Sequence, residues 1–336
     1  MSIIYLEPLI ESLAQLQFVD LILTIEAREH IQLPVFSGST FRGILGHELK
    51  RAACSTGEQC EQCRDPENCI YHYLFETRFS AKEDPVRGSL EVPRPFILTP
   101  PTRGRVLPAR QRAEIGLRLF GAATDYLSYF IYALEQAGQR GIGRENQQFK
   151  LLKVSQHHAA DLPPTVFYQC REKGPGQFSG EPSVSDVASN FPSLQLSDSC
   201  IIKFLTPTRL KHRGELVKEP EFHVLVRALL TRLGILIGAH GVAPLKLDFS
   251  QIVKQAETIR YQALDLRWLD WQRYSNRQKR KMKLGGFIGG VEYTGNLQPF
   301  GPLLAAGELL NVGKGTTFGL GGYRITTASI RKQAAP

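Results

Sequence analysis

Several signatures are missing from this sequence, and each absence removes a class of function. Between Met1 and Phe18 stand Glu7 and Glu11 but no lysine or arginine, so the charged leader of a secretory signal peptide is lacking. No apolar run is expected to approach the ~20 residues of a membrane span. Both absences point to a cytoplasmic protein with reduced thiols and no membrane partner. The eight histidines contain no H-E-x-x-H pair, the mark of a zinc hydrolase. The acidic residues form no D-x-D arrangement of the kind expected in a magnesium-dependent nuclease. No nucleotide-binding loop is present either, because Lys314 is followed by Gly315 and not by Ser or Thr.

What is present is an excess of positive charge. Lysine and arginine exceed the acids by 9, which favours an acidic partner, with nucleic acid first. A length of 336 residues, 42% of them hydrophobic, predicts two soluble domains with sizeable cores.

Half of the ten residues Gly313-Lys314-Gly315-Thr316-Thr317-Phe318-Gly319-Leu320-Gly321-Gly322 are glycine. Glycine admits positive φ and a close approach of another backbone or a phosphate. Successive N–H groups in such a loop can form an anion-binding hollow. Upstream, Arg273 to Lys283 holds six basic residues and no acid. There Arg273, Arg277, Lys279 and Arg280 can fix phosphates, Tyr274 can stack on a base, and Asn276 can read a base edge or a 2′-hydroxyl.

In chain order, apolar alternation predicts strands at Leu16–Ile25, Pro93–Leu98, Glu114–Leu119 and Phe149–Val154. Helices are predicted from Ser39 or Thr40 to about Ala53 and over Ala122–Ala137. That order, β-α-β-β-α-β, is the ferredoxin-like unit. It is repeated with strands at Cys200–Leu205, Leu264–Trp271, Phe287–Tyr293 and Tyr323–Thr326, and with helices at Phe222–Leu236 and Pro302–Leu310. The predicted class is therefore α+β, two tandem ferredoxin-like domains. The first spans residues 1–175 with an insert at 54–69, a Gly/Pro/Ser-rich linker spans 176–197, and the second spans 198–336.

Cys54, Cys60, Cys63 and Cys69 fall within sixteen residues as C-x5-C-x2-C-x5-C. Four thiolates at that density can close one structural zinc site, and their closure leaves no position for catalysis. An iron–sulfur cluster would use the same donors.

With no catalytic metal expected, RNA cleavage would need a side chain to assist 2′-hydroxyl attack, another to protonate the leaving 5′-oxygen, and cations to hold the phosphorane charge. His47 shares a predicted helix side with Lys50 and Arg51, a setting suited to a phosphate. His72, between Tyr71 and Tyr73, is the rival base. His30, His157, His158, His212, His223 and His240 rank below them.

The chain resembles the CRISPR-associated repeat-RNA-processing endoribonucleases of the RAMP superfamily, in the branch with a cysteine-rich insert. The resemblance is carried by Thr40-Phe41-Arg42-Gly43 with Leu45-Gly46, the four cysteines and Leu74-Phe75-Glu76. It continues through Pro93-Arg94-Pro95-Phe96, Phe204-Leu205-Thr206-Pro207-Thr208-Arg209-Leu210, Arg273 to Gln278 and the Gly-rich loop. It implies binding of CRISPR repeat RNA and metal-independent cutting of the precursor, leaving a 2′,3′-cyclic phosphate and a 5′-hydroxyl. It also implies a histidine base in the first domain, and other CRISPR effector-complex subunits as further partners. The alternative is a non-catalytic RNA-binding subunit of such a complex. On this reading Arg42, Lys50, Arg51, the 273–280 stretch and Gly313 to Thr317 contact RNA.

Overall fold

The computed structural model describes residues 6–327 except 58, 78–91, 102–105, 144, 157–162, 172–175, 191–195, 244, 246, 271 and 276–279. Of residues 6, 190, 272–275, 280–283 and 327 it describes the backbone alone. The chain divides into two compact units, Gln17–Ser185 and Met1–Leu16 with Asp186–Pro336. The first helix, α1 (Leu6–Ala14), thus belongs with the C-terminal half. The reason is its apolar face: Leu9 and Leu13 are buried, and α1 packs on a helix near the chain's end, Gly301–Leu310.

The N-terminal unit is built around β1 (Gln17–Ala27). Its residues Val19, Leu21, Leu23, Ile25 and Ala27 are buried in one core, as a two-residue period requires of a strand covered on one face. Then come α2 (Gly38–Ala53), α3 (Ile70–Phe75), β2 (Phe96–Thr99), β3 (Arg112–Phe120), α4 (Leu127–Arg140), β4 (Phe149–Gln156) and β5 (Thr165–Gln169). The strands pair antiparallel in the order β2-β3-β1-β4-β5, with Leu21 opposite Leu117 and Leu23 opposite both Ile115 and Val154. The first four are the ferredoxin-like sheet. The helices predicted at 39–53 and 122–137 are here, except that Gly121–Tyr126 winds as a 3-10 turn before α4.

The C-terminal unit repeats the plan with β6 (Ser199–Thr208), α5 (Phe222–His240), α6 (Phe249–Ala256), β7 (Arg260–Ala263), β8 (Arg267–Leu269), β9 (Gln272–Ser275), β10 (Arg280–Lys283), β11 (Gly286–Thr294), α7 (Gly301–Leu310) and β12 (Tyr323–Thr327). The order β7-β11-β6-β12 is again antiparallel throughout. The strand predicted at Leu264–Trp271 is broken into β7 and β8, which both pair with β11. One expectation is corrected: α5 is 19 residues long with a mean hydropathy of 1.6, enough by length and composition to cross a membrane. Here it is a core helix, with Leu225, Leu229, Leu233, Leu236 and Ile237 buried and Arg232 donating from Nε to the Leu310 carbonyl at 2.6 Å. Within the Gly/Pro/Ser-rich stretch, the described residues include short strands at Gln177–Phe178 and Ser185–Asp186 and a turn at Ala188–Asn190.

Candidate nucleic-acid interface

In the N-terminal unit α2 carries Arg42, His47, Lys50 and Arg51. Phe41, Leu45, Gly46 and Leu49 face the core, which leaves His47 exposed. Two contacts fix the roll of this helix. Glu48 is buried and pairs with Arg51 at 2.7 Å and with Arg140 of α4 at 3.0 Å. A Cβ on Gly46 would lie 2.7 Å from Cε1 of Phe75, so α3 can lie directly on α2. Arg51 is thereby engaged with Glu48. The Arg42 guanidinium sits over the Phe75 ring at 5.1 Å, and the Lys50 ammonium over Tyr71 at 5.9 Å.

Cys54 ends α2, donating its N–H to the Lys50 carbonyl, and Cys69 precedes α3. All four insert cysteines, with Lys50, Pro66, Tyr71 and His72, line one small cavity. None is in a disulfide. A hydrogen bond from the Gly57 N–H holds the Cys54 thiol below its ordinary pKa. Among the described residues, no three of His, Cys, Asp and Glu are gathered closely enough to hold a metal ion. His72 lines the cysteine cavity and His47 does not.

In the C-terminal unit three features meet at one end of the sheet. β6 ends there and both β11 and β12 begin there, with Thr208 opposite Phe287 and Phe204 opposite Tyr323. The Gly-rich loop enters β12. Gly313, Gly315, Gly319 and Gly321 all have φ between +74° and +83°, the left-handed region that glycine alone adopts freely. Lys314 N–H bonds to the Arg209 carbonyl, Gly321 N–H to the Pro207 carbonyl and Gly322 N–H to the Thr206 hydroxyl. The N–H groups of Phe318, Gly319 and Leu320 bond within the loop. Much of the predicted anion hollow is thus used to lock the loop onto residues 206–209. Thr316 is buried, while the Lys314 side chain is exposed. Gly321→Ala should lower stability by ~1–3 kcal/mol through its φ alone, and its Cβ would overlap the Val312 carbonyl at 1.8 Å. An unchanged denaturant midpoint would refute this.

The basic stretch is a hairpin. β9 pairs with β10, with Arg273 opposite Met282, Tyr274 opposite Lys281 and Ser275 opposite Arg280. Asn276, Arg277 and Lys279 lie outside the described residues. The hairpin extends between β8 and β11, from the same sheet end as the Gly-rich loop.

One pair of residues that ranked low in the sequence stands out. Just beyond Arg209, Lys211–His212 pairs with Glu215–Leu216 in a tight hairpin. The His212 ring meets that of His223, in the first turn of α5, edge to face at 5.6 Å. The two are eleven residues apart, so no spacing motif flags them. Gly214, a turn former, was the one local signal in the sequence, and the positive φ of Arg213 and Gly214 is what folds the hairpin back.

A family described as CRISPR-associated endoribonuclease Cas6 matches residues 202–323. A second, AF_1859_N, described as an N-terminal domain, matches residues 16–176. A protein of Archaeoglobus fulgidus, described as uncharacterized, is 24% identical over 301 residues, covering 87% of this chain and 92% of its own. Among solved structures, a Cas6 product complex aligns with a TM-score of 0.56 at 16% identity, covering 93% of this chain and 100% of its own. Thermus thermophilus Cas6 aligns with a TM-score of 0.52 at 14% identity, covering 93% and 99%. At those identities the structures speak for the fold, and the paired antiparallel sheets agree with it. The matched residues 202–323 hold the strand end at Thr206–Leu210, the basic hairpin and the Gly-rich loop, and over that region the chain is similar to the CRISPR-associated endoribonuclease Cas6 family.

Proposed function

We propose that this chain binds CRISPR repeat RNA and cuts precursor CRISPR RNA by metal-independent attack of a 2′-hydroxyl. The products are a 2′,3′-cyclic phosphate and a 5′-hydroxyl. The observation that carries the reading is the family match over the region that holds both the basic hairpin and the Gly-rich loop. In this reaction the O2′–P bond forms, the P–O5′ bond breaks, and one proton moves from O2′ to a base while another reaches O5′. His47 is the base in this proposal, since it stands exposed on a helix fixed against roll, whereas His72 faces the cysteine cavity. Cationic side chains would hold the charge that builds on the phosphorane.

The test uses a labelled RNA spanning one repeat, in EDTA, beside a copy with a 2′-deoxy at the cut. Cleavage of the first alone supports the reading. Cleavage of both, or cleavage only when magnesium is supplied, overturns the chemistry. Salt-sensitive binding with no cut assigns the chain to the non-catalytic class.

The proposal includes one structural zinc ion held by Cys54, Cys60, Cys63 and Cys69. Its support is the donor set, four free thiols that line a single cavity and would draw together around the ion. When bound, such an ion ties a loop together and does no chemistry. About one zinc per chain is expected by elemental analysis, falling to near none in Cys60→Ser/Cys63→Ser together with a lower melting temperature. Visible iron–sulfur absorbance, or metal-free protein with an unchanged melt after chelation, would refute it.

A further inference from the structure

We propose that Arg232 is a positioning residue of the RNA site: it fixes the entry to the Gly-rich loop and lends that loop a buried positive charge, which an RNA backbone phosphate balances. This deepens the RNA-processing reading and rests on it. All of its parts lie within the C-terminal unit.

The loop by itself is poorly equipped to hold a phosphate. Its N–H groups at Lys314, Phe318, Gly319, Leu320, Gly321 and Gly322 already bond to protein acceptors, so they cannot form a full anion hollow. From Leu310 to Gly322 the one charged residue is Lys314. Further positive charge must come from outside the loop, and α5 supplies one cation from the core side.

Arg232 is 8% exposed, although arginine is almost never fully buried unless paired. Its Nε donates to the Leu310 carbonyl at 2.6 Å, and among the described residues its Nη2 has no hydrogen-bond partner. No carboxylate pairs with it there. Burial alone lowers its pKa, to about 10, so the guanidinium stays charged at neutral pH. Glu48, the buried carboxylate of the N-terminal unit, shows the contrast, with two arginines on it. Leu310 ends α7, and the partial negative charge of a helix C-terminus offsets roughly half a unit charge at most. The remainder is a desolvated cation, which lowers stability until an anion approaches. In a low-dielectric interior its field is screened far less than that of a surface lysine.

Its place in the fold directs that field. After Leu310 comes Asn311, buried and in the left-handed region at φ 54°, which turns the chain out of α7 into the loop. The Asn311 side chain donates to the Leu320 carbonyl at 3.0 Å, and the Val312 N–H to the Gly321 carbonyl at 2.9 Å. Three consecutive residues thus connect Arg232 to both the entry and the exit of the loop. α5 and α7 run side by side towards this end, since Phe222 meets Phe300 at their starts and Arg232 meets Leu310 farther on. A phosphodiester supplies the missing negative charge, within reach of Lys314 from solvent and of the Arg232 field from the core.

Arg232→Gln and Arg232→Lys separate the charge from the hydrogen bond, because both side chains can donate to the Leu310 carbonyl and only lysine is cationic. The difference is read by anisotropy titrations of a labelled repeat RNA with the full chain at several salt concentrations. A pH of about 6 keeps a buried lysine protonated. Arg232→Gln should bind about tenfold more weakly than wild type, with a slope of log K against log salt shallower by about 0.7, one phosphate of a single strand. Arg232→Lys should recover most of both. The Gln variant should melt no lower than the Lys variant, because it buries no charge. Equal affinities and slopes in the two variants overturn the proposal and leave Arg232 as a cap on α7. A Gln variant that fails to fold overturns it as well, since the fold would then need the guanidinium itself. If wild type binds no RNA, the RNA-processing reading fails, and pyrophosphate titrated against the same proteins decides the site. Weaker binding to the Gln variant than to wild type and the Lys variant supports it, and equal binding to all three overturns it.

Discussion

His47→Ala should slow single-turnover cleavage of a repeat RNA by ~10²–10⁴-fold, the usual contribution of a positioned acid or base, while RNA affinity changes less than about twofold. The argument starts from how α2 is held. Phe41, Leu45 and Leu49 recur at helical spacing and are fully buried, so the helix has one admissible face towards the sheet. Glu48 then ties it to α4 through Arg140, and to its own next turn through Arg51. Gly46 lets Phe75 pack where any Cβ would collide. With those three constraints set, His47 can point only outward. A base must keep one position through the reaction, because a misplacement of about 1 Å can cost on the order of 10²-fold. His72→Ala is the paired measurement. His72 lines the cavity of the four cysteines, so its removal should act through stability and zinc content, leaving the rate at saturating RNA within about threefold of wild type. If His72→Ala abolishes cleavage in well-folded protein and His47→Ala does not, the assignment is reversed.

Much of this was legible in the sequence because the sheets alternate cleanly. Leu21, Leu23 and Ile25 place β1 in the core, and the glycines of 313–322 mark a loop with four left-handed residues. What was not legible has physical causes. The membership of α1 depends on its packing against α7, near the opposite end of the sequence, and no local pattern encodes that. α5 reads as hydrophobic nearly all round because a core helix is covered on most sides, so composition cannot separate it from a membrane span. The Gly-rich run predicted exposed N–H groups, but glycine's freedom serves equally to bring the loop against Pro207 and Arg209, and there it does so. Likewise Arg51 counted as a free cation until Glu48, four residues after Ile44 on a face that looks apolar, proved to be a buried carboxylate. The His212–His223 pair is the clearest case, since only the turn at Arg213-Gly214 brings the two rings together.

Neutralising one face of the basic hairpin should weaken RNA binding by about 10²–10³-fold, more than any other change confined to the surface. β9 and β10 are paired in register, and successive positions alternate between faces. Gln272, Tyr274, Lys281 and Lys283 therefore occupy positions on one face, and Arg273, Ser275, Arg280 and Met282 on the other. The first face combines an aromatic position directly opposite a lysine with a second lysine two residues on. Stacking on one base contributes ~1–3 kcal/mol, and each phosphate left without its cation lowers the slope of log K against log salt by ~0.7 for single strands. Tyr274→Ala/Lys281→Ala/Lys283→Ala should thus reduce both affinity and slope, the slope by about 1.4 for two phosphates. Arg273→Ala/Arg280→Ala removes as many charges from the other face and should lower the slope comparably, but without the stacking loss. The hairpin is a two-stranded sheet of its own, outside the β7-β11-β6-β12 sheet, so both variants should keep the wild-type melting temperature within about 2 °C. Equal affinity losses from the two faces would show that the hairpin acts as a bulk charge and that Tyr274 stacks on nothing. A slope unchanged in both would remove the hairpin from the RNA path and leave the Gly-rich end to carry the backbone alone.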